Sequence, residues 1–264
     1  MSFFSACSIT AGYRKNNIIH DLSFELDRGA VTGVLGANGS GKSTLLKAVC
    51  NILPHTGCCT LDDTPLEELS ARQIARLVSY IPQRSGITLD LSVLDVVLMG
   101  FNPRLGLLEH PTEAMKEAAR QALEKVGLCG REQTNYLHLS EGQKQLCILA
   151  RTLVADSQLL LMDEPESALD FRFRHRVFGL LRQWVGDKQI GALVALHDPV
   201  LALNYCDKLL LLADGLLIGE LHPRTDSLRD MELLLERLYG TVSLQRCRNR
   251  CGKEFIVMLR EDAQ

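Results

Sequence analysis

Gly36-Ala37-Asn38-Gly39-Ser40-Gly41-Lys42-Ser43 follows the short apolar run Val31–Leu35 and precedes Thr44-Leu-Leu-Lys-Ala-Val-Cys50, a stretch of helical character. Every fixed position of the pattern G-x-x-x-x-G-K-[ST] is filled. The spacing has a physical purpose. Glycines let successive backbone N–H groups curl around the α- and β-phosphates of a nucleotide, the lysine reaches the β- and γ-phosphates, and the serine hydroxyl suits Mg²⁺. The helix that follows turns its positive end to the same anion. Strand, glycine loop and helix in this order predict a P-loop, with Gly36 to Thr44 as its binding residues and Lys42 as its working cation.

Outward from this loop, strand and helix signals alternate. Phe3 to Leu26 reads as strands joined by a turn at Arg14–Asn17, and residues 66–80 hold a helix that gives way to the strand Val78–Ile81, stopped by Pro82. From about Arg84 to Ala155 the pattern is helical only, with Val93–Met99, Glu113–Val126 and Gln143–Leu153 as helices and Gly127 as a stop. Strands return at Gln158–Met162 and Ile190–Leu196 around a helix near Phe171–Val185, a β-α-β unit. Lys208–Leu212 continues the pattern, Gly215–Leu221 is expected beside it, and Thr241–Cys247 with Glu254–Leu259 reads as a hairpin. The expected fold is α/β. It has a P-loop NTPase core with a mainly parallel sheet (1–83 and 156–264), an antiparallel β-subdomain near the N-terminus, and an inserted α-helical subdomain at 84–155, all in a single domain spanning 1–264.

Composition narrows the function classes. The 264 residues carry 29 basic and 32 acidic side chains, a net charge of -3, which does not suit a surface made to neutralise nucleic-acid backbones. No nucleic-acid partner is expected. A hydrophobic content of 46% supports a sizeable core rather than disorder. The apolar runs Leu209–Ala213 and Ile190–Leu196 are far shorter than the roughly 20 residues a spanning helix needs. Met1–Cys7 lacks the basic start and apolar stretch of a signal peptide. The nine cysteines are scattered without a Cys-x-x-Cys pair, so free thiols of a reducing compartment are expected. His55 with Cys58 is the one suggestion of a metal pair, and no second pair completes it. Cys58–Cys59 and Cys247/Cys251 are the pairs that merit a redox test.

A second acidic site ends the strand Leu159–Met162. Asp163 is placed to hold Mg²⁺ through water, and Glu164 to act as a general base toward a γ-phosphate. Together with the P-loop, this site and several further motifs resemble the nucleotide-binding subunit of an ATP-binding-cassette transporter. The resemblance is carried by the P-loop, Gln83 after Ile81-Pro82, Leu139-Ser140-Glu141-Gly142-Gln143, Asp163-Glu164-Pro165, Ser167-Ala168-Leu169-Asp170, and His197-Asp198, in the family's order.

The resemblance implies roles. Tyr13 stacks on adenine, Gln83 meets Mg²⁺ and the attacking water and relays contact from a membrane partner, and His197 holds the γ-phosphate. Ser43, Gln83 and Asp163 form the Mg²⁺ set, with Glu164, His197, Gln83 and Lys42 as the catalytic group. Leu139–Gln143 is the signature, which closes on the ATP of a partner copy, so the active species is a head-to-tail homodimer sandwiching two ATP. Ser167–Asp170 forms the D-loop. Two positions depart from the commonest pattern. Glu141 stands in place of glycine and Glu166 in place of threonine or a small residue, and both add negative charge near the expected phosphates. The Glu141 carboxylate either opposes closure of the dimer or points to solvent.

Without a spanning segment, the chain is expected to dock on separate permease subunits at the cytoplasmic face of the inner membrane, as a peripheral subunit. An extracytoplasmic binding protein would complete the complex. Within Ser92–Leu108, Val97-Leu-Met-Gly100 followed by Arg104-Leu-Gly-Leu107 resembles importers of iron–siderophore, haem and cobalamin-type metal chelates. Molybdate or tungstate importers are similar here, and a soluble ATPase of iron–sulfur assembly fits by length. Chromosome- and ribosome-type cassettes do not fit one P-loop and one signature in this length. A guanine-reading Asn-Lys-x-Asp motif is absent.

Overall fold

The computed structural model describes residues 3–14, 16–106 and 108–261. Leu107, the last residue of the Arg104–Leu107 motif, and both ends of the expected 1–264 domain lie outside the described residues.

Two long strands, β1 (Phe4–Tyr13) and β2 (Asn16–Leu26), pair antiparallel. β3 (Val31–Leu35) is buried at every position and runs through the glycine loop into α1 (Lys42–Val49). β4 (His55–Leu61) pairs with β1, and the two-residue β5 (Thr64–Pro65) pairs with β4, completing a four-stranded antiparallel sheet in the order β2-β1-β4-β5. After α2 (Ala71–Leu77) comes β6 (Val78–Ile81). Three helices follow, α3 (Val93–Leu98), α4 (Glu113–Lys125) and α5 (Glu141–Ala155), and the one β contact among the described residues there is the isolated bridge Ser92–Asn135. Then come β7 (Leu159–Asp163), α6 (Phe171–Lys188), β8 (Gly191–Leu196), α7 (Pro199–Tyr205), β9 (Lys208–Ala213) and β10 (Leu216–Leu221). The chain ends with α8 (Leu228–Tyr239) and the hairpin β11 (Val242–Arg248) and β12 (Glu254–Arg260).

The main sheet has the order β10-β9-β3-β8-β7-β6, parallel throughout except for the antiparallel β10–β9 edge pair. This is the expected α/β fold with its mainly parallel sheet. Near-continuous apolar strands such as Leu159–Met162 and Ala192–Leu196 are what a sheet covered on both faces requires. Side chains alternate across it with the strand period of two. Leu160, Met162, Ala192 and Val194 face α5 and α6, packing with Leu146, Val177 and Phe178. Leu159, Leu161, Leu193 and Ala195 face α1 and the antiparallel layer, packing with Leu46, Ile9 and Phe24. The core therefore has two halves, one on each side of the sheet.

Some elements were not foreseen from the sequence: β4, β5, α7 and α8. The His55–Cys58 suggestion does not match the structure. Gly57 at φ +88 kinks β4, and the thiol brought near His55 is that of Cys59, beside Glu67, which lies 3.1 Å from His55 Nε2. All nine cysteines are free. Cys58 and Cys59 point to opposite sides of the strand, one exposed and one buried, and the cross-strand neighbour of Cys58 is Cys7.

Candidate active site

In an open α/β sheet, ligands collect beyond the carboxyl ends of the strands. The candidate residues come from there: Gly36–Ser43 beyond β3, Gln83 beyond β6, Asp163 and Glu164 at the end of β7, and His197 after β8. Because β6, β7, β8 and β3 are successive neighbours, these ends are brought together.

Gly41 caps α1 in the left-handed region at φ +105, where a side chain would be strained, and a Cβ there would lie 2.6 Å from Ile19 Cγ2. The turn thus needs glycine twice over, for dihedral and for space. Lys42 is 3% exposed, and its Nζ donates to the carbonyls of Gly36 at 2.8 Å and Ala37 at 3.2 Å. Its ammonium also lies 3.7 Å from Glu164 Oε1. Burial pulls the Lys42 pKa below its ordinary value, and Glu164 and Asp163 oppose that fall. Ala37, Asn38 and Gly39 form the outer turn of the loop, while Ser40 and Thr44 are buried.

The two carboxylates at the end of β7 are held differently. Asp163 Oδ1 accepts from Ser43 Oγ at 2.9 Å and its Oδ2 from Tyr80 OH at 3.2 Å. Burial raises the Asp163 pKa against these two hydrogen bonds, and burial also raises that of Tyr80. Glu164 sits at φ +49, uncommon for a residue with a side chain. Its Oε2 accepts from Gln83 Nε2 at 2.8 Å and lies 2.5 Å from His197 Nε2. This approach brings the imidazole edge directly against the carboxylate. One carboxylate is therefore ringed by a lysine, an amide and an imidazole.

Tyr13, 47% exposed at the end of β1, lies on the α1 side, with Lys47 Nζ donating to its OH at 3.4 Å. The same ammonium stands 5.9 Å from the ring centroid.

The signature residues lie apart. None of the hydrogen bonds or ion pairs among the described residues joins Leu139–Gln143 to the P-loop. Ser140 caps α5 with a reciprocal box: its Oγ accepts from Gln143 N at 3.3 Å, and Gln143 Oε1 accepts from Ser140 N at 3.1 Å. The cap uses Ser140 as an acceptor, so its hydroxyl hydrogen remains available. Leu139 is buried beneath the turn. A Cβ on Gly142 would lie 2.6 Å from Phe173 Cγ. Gly142→Ala should overpack this contact, at about 1–3 kcal/mol against at most about 1 kcal/mol of helix propensity gained. Thermal unfolding should show a lower midpoint for the variant.

Glu141 opens α5 without a positive φ, so its backbone does not ask for glycine. Its side chain is 62% exposed and its Oε1 accepts from Lys144 Nζ at 2.8 Å. Of the two expectations, pointing to solvent fits this geometry. Glu141→Gly should therefore leave ATP-driven self-association unchanged at low and at high salt, as sedimentation can measure.

Ser167 and Ala168 are exposed, Leu169 is buried, and Asp170 caps α6 by accepting from Phe173 N at 2.9 Å. With Gln83 and Glu141 the first three line a cleft of about 580 Å³. Glu166 corrects an expectation. Its carboxyl is buried rather than held out toward a phosphate, and it accepts from the His197 backbone N–H at 2.8 Å. Tyr80 is a contributor that no sequence motif marks, because it acts through a neighbouring strand end.

A P-loop over parallel strand ends, with a buried aspartate beside its serine, defines a P-loop nucleoside triphosphatase. Residues 19–167 match the ABC transporter family, and the chain belongs to it. The hemin import ATP-binding protein HmuV of Bordetella pertussis is 39% identical over 232 residues, covering 84% of this chain and 86% of that protein. The manganese transport system ATP-binding protein MntB of Bacillus subtilis is 34% identical over 207 residues, covering 78% and 81%. Among solved structures, an ABC transporter assigned to the metal-chelate type, in an inward-facing conformation, has a chain that matches with a TM-score of 0.83 at 26% identity, over 99% of both chains. The protein is an ATP-binding, ATP-hydrolysing subunit of an ABC transporter. Among the described residues no helix is long and apolar enough to cross a membrane.

Proposed function

We propose that the chain drives import of a metal compound, most naturally haem or a related iron chelate, by hydrolysing ATP between two copies of itself. The observation that carries the catalytic part is the convergence of Lys42, Gln83 and His197 on Glu164. Glu164 holds and orients the attacking water. Lys42 and the Gly36–Thr44 backbone hold the phosphates, His197 steadies the γ-phosphate, and Tyr13 stacks on adenine. Catalysis of this kind is mostly positioning and charge stabilisation.

Mg²⁺ fits the donor set. The Ser43 hydroxyl and a buried Asp163 carboxylate lie within hydrogen-bond distance of each other, and Gln83 reaches the same strand ends. Burial that disfavours the charged form of Asp163 is what a divalent cation would offset. Ser43, Gln83 and, through water, Asp163 would hold it, and it would neutralise charge on the phosphate oxygens.

The second copy supplies Leu139–Gln143, whose free Ser140 hydrogen and helix N-terminus suit a γ-phosphate. Ser167–Asp170 lies at the joint. We take residues 84–155 as a helical subdomain that meets the permease, with the P-loop core at 1–83 and 156–264. On this reading the chain is a peripheral subunit at the cytoplasmic face of the inner membrane, working with an extracytoplasmic binding protein.

The metal cargo is supported by likeness to HmuV, and MntB keeps a bare metal ion within the class. The test is ATP-dependent uptake into vesicles that carry this chain assembled with its permease. Haem or iron–siderophore uptake is expected. Uptake of molybdate or tungstate alone, or copurification with a soluble iron–sulfur scaffold instead of a membrane, would overturn the reading.

A further inference from the structure

β7 and β8 run parallel, and their pairing ends with Asp163 opposite Ala195. The backbone N–H of His197 lies one residue past the end of β8, beyond the reach of that ladder. Left unpaired, a buried N–H costs about 1–3 kcal/mol. Glu166 Oε1 supplies the acceptor, 2.8 Å away.

The side chain that does this is an unusual choice. Glu166 is 2% exposed, and its second oxygen, Oε2, is buried without a hydrogen-bond partner. Burial raises its pKa, and the His197 N–H opposes the rise. The titratable groups that face it are Glu164, His197, Lys42 and the buried Cys206 thiol. An orphaned buried oxygen is a cost that the paired oxygen must offset.

The backbone around Glu166 is itself fixed. Its carbonyl accepts from Leu169 N, and Ser167 N donates to the Glu164 carbonyl, each at 3.1 Å. Glu164 N donates to Ala195 O, also at 3.1 Å. The turn that carries Glu164 is thus tied to the β8 end at two points, once through backbone and once through the Glu166 side chain. The second tie holds the residue whose imidazole stands 2.5 Å from Glu164.

We propose that Glu166 is a positioning residue for ATP hydrolysis: by accepting the His197 backbone hydrogen bond, it sets where the imidazole stands relative to Glu164. This rests on the reading of Glu164 and His197 as the hydrolytic pair. The acceptor oxygen matters, and the carboxylate charge does not.

The test measures kcat and KM for ATP of the full chain as Glu166→Gln, Glu166→Leu and Glu166→Asp, with thermal unfolding of each. Gln keeps an acceptor at the same reach, Leu has none, and Asp withdraws it by one methylene. Gln should keep the parent's kcat. Leu and Asp should lose kcat on the order of 10²-fold, as misplacement by about 1 Å does, with KM for ATP unchanged because the P-loop is untouched. Where Leu does not fold, Asp decides. Parent-like kcat in Asp or Leu would overturn the proposal, as would Gln falling as far as they do, or KM rising in step with the loss. A parent chain without ATPase activity would instead remove the reading of Glu164 and His197 on which the proposal rests.

Discussion

Glu164→Gln is expected to lower ATP turnover by a factor of about 10²–10⁴, the usual contribution of a positioned general base. The substitution keeps shape and hydrogen-bonding reach but removes a proton acceptor and one negative charge. Gln83 Nε2 donates to that carboxylate at 2.8 Å and His197 Nε2 stands 2.5 Å from the same oxygen, so the amide must turn its oxygen toward them. Lys42 loses a counter-charge 3.7 Å away and becomes more available to phosphate. ATP binding should therefore hold or tighten while phosphate release collapses. The check is radiolabelled ATP retained by the variant beside its steady-state phosphate release. Near-normal turnover would take Glu164 out of the role assigned to it.

Lys42→Ala should do the reverse, weakening capture of ATP. A hydrogen bond to a charged group is worth about 1.5–3 kcal/mol, so affinity should fall roughly 10- to 100-fold. Hydrolysis should fall with it, because the same ammonium stabilises charge on the transferred group. The lysine also ties Gly36 O and Ala37 O to the start of α1. Its loss leaves these carbonyls and Glu164 without their cation, and some local loosening of the loop is expected. Nucleotide titration by calorimetry separates the effects. Unchanged ATP affinity with unchanged hydrolysis would contradict the use of the P-loop described here.

The parts of the molecule readable in advance are those whose physics is local. Gly41 must take a left-handed turn, Val31–Leu35 and Leu159–Met162 are apolar without interruption, and each motif follows from its own residues. β4 is harder to read because Thr56, Gly57 and Cys58 are exposed in succession and alternation begins only at Cys59. α7 begins at Pro199 after a capping Asp198 and spans only seven residues, which reads as loop. α8 carries a helical stripe of Leu228, Met231, Leu234, Leu235 and Leu238 packed on the core behind a Ser227 cap, a signal present in the sequence that the exposed Leu233 beside it obscures. In the site, Tyr80 and Glu166 carry no motif. Tyr80 pairs in register with Leu161 and reaches Asp163 two residues further on, a relation fixed only once β6 lies beside β7. Glu166 reads from the sequence as charge near phosphate, because nothing there says that its side chain turns inward to the His197 backbone.

The proposed site takes its P-loop from one copy of the chain and Leu139–Gln143 from another. Sedimentation of the Glu164→Gln chain with MgATP and with MgADP tests that arrangement most directly. The account predicts a monomer with MgADP and, with MgATP, a dimer that holds two ATP. A chain that saturates with ATP and stays monomeric would contradict it.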